Sequence, residues 1–89
     1  MNLEECRARI DKIDARIVEL YEERLAVSED IARAKAGMGK AVFDPEREKL
    51  KLEKVRGLTK QECNKDGVEE LFVFLMNKSK ERQNEALNS

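Results

Sequence analysis

From Leu3 to Ala36 the chain runs without a proline or a glycine, and its apolar residues recur in steps of three and four. Leu3, Cys6, Ile10, Ile13, Ile17, Leu20, Val27, Ile31 and Ala34 fall on one stripe. Its period is near 3.5 residues, which predicts a single helix over about residues 3–36. At about 1.5 Å per residue that helix is roughly 50 Å long. A compact chain of 89 residues has a radius of gyration of about 12 Å and a diameter of roughly 30 Å. The helix overshoots such a ball, so one chain covers only part of the stripe. The remainder calls for a second chain, most simply in a two-fold dimer.

The rest of the chain reads as two shorter helices. "GMGKAVF" is a loop by its glycines. Asp44 suits an N-cap and Pro45 the first helical position, where its missing N–H costs nothing. The second helix is expected to reach about Arg56, with Gly57 as its C-terminal cap. "LTKQECNKDG" is a connector, with a short helical turn expected at Thr59. Asp66 and Glu69 have capping-box spacing, and a third helix is expected from about Val68 to about Leu87. Val68, Phe72, Leu75 or Met76, Ser79, Gln83 and Ala86 keep its rhythm. The fold class is therefore all-α, with three helices in one domain over residues 1–89. Charged residues at 42% and aromatics at 4% agree with a helical chain and disfavour a β-sandwich.

The sequence disfavours several functions. The net charge of −1 offers no general attraction for nucleic acid or anionic lipid, so any basic site is local. No run of 18 apolar residues exists to span a membrane, and "MNLEECRARI" lacks the pattern of a signal peptide. Cys6 and Cys63 lie far apart, which fits a reduced, cytoplasmic setting. With no His and two Cys, a structural zinc site is disfavoured and a Cys–His catalytic pair is excluded.

The informative residues are polar ones on apolar faces. Arg24 falls on the beat between Leu20 and Val27. It is either a snorkelling or register-setting residue in a coiled coil, or a ligand contact. Ser79 taken alone reads as a satisfied core hydroxyl more readily than as a ligand, and Gln83 as an exposed residue near a helix end. Lys35 suits the C-terminal dipole without any site. Arg7, Arg47 and Glu48 resemble ordinary surface charges. Taken together these residues point elsewhere. Arg7, Asp14, Tyr21, Ser28 and Lys35 form a column at seven-residue spacing beside the seam that holds Arg24. Arg24 and Lys35 are three turns apart on one face, about 16 Å, so their long side chains can converge on a ligand between them. Ser79 and Gln83 are one turn apart on another apolar face. A pocket lined by cations and neutral donors wants an anion, because an unpaired buried cation is very costly. Arg7, about 25 Å from Arg24 along the axis, reaches such a site only across a dimer.

"CRARIDKIDARIVELYEERLAVSEDIARAK", "VFDPERE" and "LMNKSKERQ" resemble, in that order, the all-helical class of chorismate mutases. The resemblance covers residues from about 3 to 84. It implies a three-helix subunit intertwined with its mate through the first helix, two sites per homodimer, and conversion of chorismate to prephenate in aromatic amino-acid biosynthesis. It implies no metal and no cofactor. By position, Arg24 and the partner's Arg7 match the arginines that hold the substrate carboxylates. Lys35 matches the lysine that contacts a carboxylate and the ether oxygen, and Gln83 the second donor to that oxygen. Glu48 matches the acceptor from the ring hydroxyl, with the Asp44 backbone beside it. Arg47 and Ser79 match the remaining polar lining. Similar domains occur fused to prephenate dehydratase or dehydrogenase. Two other readings compete: an isochorismate–pyruvate lyase of similar fold, which the "DPERE" segment disfavours, and a non-catalytic helical dimerisation module.

Overall fold

The computed structural model describes residues 1–88. Helix α1 spans Leu3–Gly37, α2 spans Pro45–Leu58, and α3 spans Lys65–Asn88, preceded by a 3-10 turn over Glu62–Asn64. There is no strand among the described residues.

Local chemistry accounts for most of the helix ends. Asn2 caps α1, its Oδ1 accepting from the Glu5 N–H at 2.8 Å. Glu4 and Glu5 in the first turn and Lys35 in the last complement the helix dipole. At the far end the Met38 N–H reaches back to the Ala34 and Lys35 carbonyls. Gly39, at φ +70°, takes the left-handed conformation that turns the chain away. Asp44 caps α2 through the Arg47 N–H at 3.1 Å, with Pro45 in the first turn. Both of these assignments match the sequence reading.

Three expectations are corrected. Gly57 lies inside α2, which ends one residue later with Thr59 as its C-cap in extended conformation. The expected turn at Thr59 forms instead at Glu62–Asn64. Asp66 is not an N-cap, because the 3-10 turn runs directly into α3 and starts that helix at Lys65. The Asp66 carboxylate instead accepts from Arg56 Nη1 at 3.0 Å, and Glu69 accepts from the same nitrogen at 3.3 Å. That fork ties the end of α2 to the start of α3. The hydrogen bond that Arg56 donates to Asp66 raises the Arg56 pKa.

α3 packs against both other helices, whereas α1 and α2 do not pack on each other. The crossing with α1 is built on small residues: Ser28 and Ala32 are buried on α1, against Ser79 on α3. On the other side Val55 is the buried residue of α2, and Met76, Ser79 and Gln83 are those of α3. This resolves the rhythm of α3 in favour of Met76 over Leu75.

α1 extends well past this packing. Every residue from 1 to 20 is exposed. Ile10 and Ile17 are each 55% exposed and Leu20 58%. The molecule measures 54 × 29 × 14 Å with a radius of gyration of 16.2 Å, well above the roughly 12 Å of a compact chain. The face that α3 covers runs through the half-buried Tyr21 and the buried Ser28 and Ala32. The apolar stripe beside it stays open.

Candidate active site

Because α1 and α2 stand apart on a common α3 floor, a cleft of about 370 Å³ opens between them. That lies within the range of small-molecule sites, about 300–1,000 Å³. α1 supplies Arg24 and Lys35, and the loop after it supplies Met38, Lys40 and Val42. Asp44 and the first turns of α2 supply Arg47, Glu48 and Lys51, while α3 supplies Met76, Ser79, Lys80 and Gln83. Seven of the eight residues singled out from the sequence are thus brought to one place. The eighth, Arg7, is not among them. It sits on the exposed part of α1, without a hydrogen-bond or ion-pair partner among the described residues.

The floor is an ordered polar chain. Ser28 Oγ donates to the Arg24 carbonyl at 2.9 Å and lies 2.6 Å from Ser79 Oγ. Its one proton is then committed, so Ser79 donates to Ser28. Gln83 Nε2 in turn donates to Ser79 Oγ at 3.1 Å. Gln83 is only 6% exposed, yet its Oε1 has no partner among the described residues. An unmet buried acceptor costs on the order of 1–3 kcal/mol. The chain can also run the other way. With Ser79 donating to the amide oxygen and Ser28 to Ser79, the amide NH2 takes the place of the orphaned oxygen. Two hydroxyls, each both donor and acceptor, allow that reversal by rotation, at the cost of the Ser28 bond to the Arg24 carbonyl.

The walls are cationic. Six Lys or Arg side chains line the cleft against two carboxylates. Both carboxylates are engaged: Asp44 caps α2, and Glu48 meets Lys80 Nζ at 3.0 Å. Lys80 also lies 4.7 Å from the Phe43 ring centroid, so it is held from two sides. Arg24 Nη1 donates to the Leu75 carbonyl at 3.2 Å, and burial lowers its pKa. An arginine stays charged at neutral pH regardless, so this cation lacks both full hydration and a counter-charge. Lys35 Nζ donates to the Val42 carbonyl at 2.8 Å, which pins the loop over the cleft and leaves two of its three protons for a ligand. The arrangement suits a small polyanion, with neutral donors from the floor.

Three participants escaped the sequence reading. Ser28 completes the hydroxyl chain, Lys80 holds Glu48, and Lys51 adds a wall cation. In a chain with 42% charged residues, one more lysine carries no signal. Ser28 was placed in the right column, but its partner lies 51 residues away.

The comparison with known proteins agrees in extent and kind. The family model for chorismate mutase type II matches residues 6–84. A chorismate mutase of Methanocaldococcus jannaschii is 34% identical over 90 residues, covering 96% of this chain and 87% of that protein. A bifunctional chorismate mutase/prephenate dehydratase of Pseudomonas aeruginosa is 35% identical over 79 residues, covering 83% of this chain but 22% of that much longer protein. With nearly its whole length matched and its three helices framing one cationic cleft, the chain belongs to the type II chorismate mutase family.

Proposed function

We propose that this chain rearranges chorismate to prephenate in the cleft between α1, α2 and α3, by clamping a folded dianion and stabilising charge on its ether oxygen. Family membership makes it an isomerase of the chorismate mutase class. The observation that carries the mechanism is the convergence of Arg24, Lys35, Arg47, Glu48, Ser79 and Gln83 on one cleft.

The reaction is a concerted Claisen shift. A carbon–carbon bond forms as the ether C–O bond breaks, with no nucleophile and no proton transfer. Two things limit it in water: the substrate rarely adopts the compact conformer, and negative charge grows on the ether oxygen. Carboxylate clamps address the first, by fixing a near-attack geometry. We assign the carboxylates to Arg24, Arg47 and the partner's Arg7, with Lys35 reaching both a carboxylate and the ether oxygen. Preorganised donors address the second. We assign that role to the Lys35 ammonium and the Gln83 amide. An ether oxygen only accepts, so it favours the amide orientation in which NH2 faces the cleft and Oε1 takes the Ser79 proton. In that orientation Ser79 satisfies the otherwise orphaned Oε1, and the ether oxygen accepts from the freed NH2. Glu48, held by Lys80, accepts from the ring hydroxyl, and the Asp44 backbone lies beside it.

We also propose an intertwined homodimer with shared sites. The support is the uncovered length of α1 and a second, apolar groove of about 530 Å³ on the other side of Arg24, lined by Ile17, Leu20, Leu71, Phe74 and neighbours. Ile17, Leu20, Leu71 and Phe74 are all exposed there, and contiguous exposed apolar side chains mark an interaction surface. A partner α1 lying there carries its Arg7 toward the cleft, which its own chain cannot do at about 25 Å.

Purified chain should consume chorismate and form prephenate, monitored by loss of substrate absorbance. Turnover of isochorismate to pyruvate instead would replace the mutase with the lyase, and inertness toward both would leave a helical dimerisation module. The shared site has its own test. An Arg7→Ala chain and an Arg24→Ala chain, each nearly inactive alone, are mixed. One site of the heterodimer carries both lesions and the other carries neither, so about half of the mixed sites should recover parental turnover. No recovery in a proven heterodimer would remove Arg7 from the site.

A further inference from the structure

We infer that Lys51 is a further substrate-binding residue, which forms with Arg24 and Arg47 a three-cation seat for one carboxylate of the dianion. The inference rests on the mutase reading of the cleft and extends it to a residue outside the set that family resemblance supplies. Lys51 lies one helical turn after Arg47 on α2, on the side that also presents Glu48, and it lines the cleft opposite Arg24. It is half-buried. Among the described residues it donates no hydrogen bond and meets no carboxylate within 4 Å, in a chain where nine other basic residues are engaged with a carboxylate, carbonyl, sulfur or ring.

The other possible counter-charges are already held. Glu48 lies three residues before Lys51 on the same helix, and its two oxygens lie 3.0 and 3.3 Å from Lys80 Nζ. Asp44 is the α2 cap. Lys51 therefore faces only like charge. Burial lowers its pKa first, and Lys54, Arg47 and Arg24 lower it further. A free protein gains nothing from keeping a cation there. A bound carboxylate reverses the balance, because it screens three repelling charges at once and accepts hydrogen bonds from each.

This predicts opposite signs in two measurements. Lys51→Met keeps the aliphatic stem and removes the charge, so the ligand-free protein should melt at a higher temperature than the parent. Its affinity for an oxabicyclic dicarboxylic acid that mimics the transition state should fall at least about tenfold by calorimetry, equivalent to about 1.4 kcal/mol. Lys51→Arg should recover most of that affinity. A purely structural lysine would lower both stability and affinity together, and that result would overturn the inference. So would unchanged affinity in Lys51→Met while the parent binds the analogue. If the parent neither binds the analogue nor turns over chorismate, the mutase reading itself fails, which separates the two outcomes.

Discussion

Replacing Lys35 with alanine is expected to lower turnover at least about a hundredfold while leaving a folded protein. Lys35 is assigned a charged donor bond to the ether oxygen, where charge appears only as the C–O bond breaks. Losing such a donor raises the barrier by about 3 kcal/mol, and each 1.36 kcal/mol is about tenfold in rate. The structural loss is smaller, though larger than the helix-end position alone implied. Lys35 contributes to the dipole of α1, about 1 kcal/mol or less, and it also donates to the Val42 carbonyl at 2.8 Å. A hydrogen bond from a charged group contributes about 1.5–3 kcal/mol when well formed, and less where water can replace it. The loop over the cleft should loosen while the helices persist. Thermal melting by circular dichroism and kcat on the same preparation separate the two effects. An unfolded variant, or one with near-parental turnover, would refute the assigned role.

Gln83→Glu should convert a pH-independent donor into a titrating one. Neither an amide nor a lysine ammonium titrates between roughly pH 5 and 8, so the parent should hold its turnover across that range. The introduced carboxyl has an ordinary pKa of about 4.3. Burial at this site raises it, whereas the Ser79 hydroxyl and the cations of the walls lower it. Protonated, it can donate to the ether oxygen. Ionised, it only accepts, and it repels the charge that develops there. The variant should therefore work at acidic pH and lose turnover as pH rises through its carboxyl pKa, by about a hundredfold or more at the plateau. Turnover is measured against pH for both proteins, with helical content checked at each point. Parallel profiles would take Gln83 away from the ether oxygen.

The main outlines of the three helices were legible from local rules. An unbroken stripe from Leu3, a glycine-rich break at Gly37 and the Asp44–Pro45 start need no tertiary context, because capping and proline geometry act within one turn. The same rules failed at Gly57 and Asp66. A glycine inside a helix costs about 1 kcal/mol, which packing along α2 offsets. Asp66 falls inside α3 because the 3-10 turn runs straight into that helix, and its carboxylate pairs with Arg56, ten residues away, where capping rules do not look.

The residue types of the site were also legible. A cation on an apolar beat, and a serine and glutamine on another, already point to an anion held between helices. Their convergence was not. Arg24, Arg47 and Gln83 come from three helices, and only the mutual avoidance of α1 and α2 over a shared α3 leaves room for them. Sequence periodicity determines which residues share a face of one helix, because that geometry repeats every turn. It does not determine which face meets which neighbour. On α1 the buried face runs through Ser28 and Ala32, where small side chains let α3 approach closely, and not along the more hydrophobic stripe through Ile10, Ile17 and Leu20. Close packing at that crossing, and the Ser28–Ser79 hydrogen bond within it, decided the orientation of α3, and with it which polar side chains face the cleft.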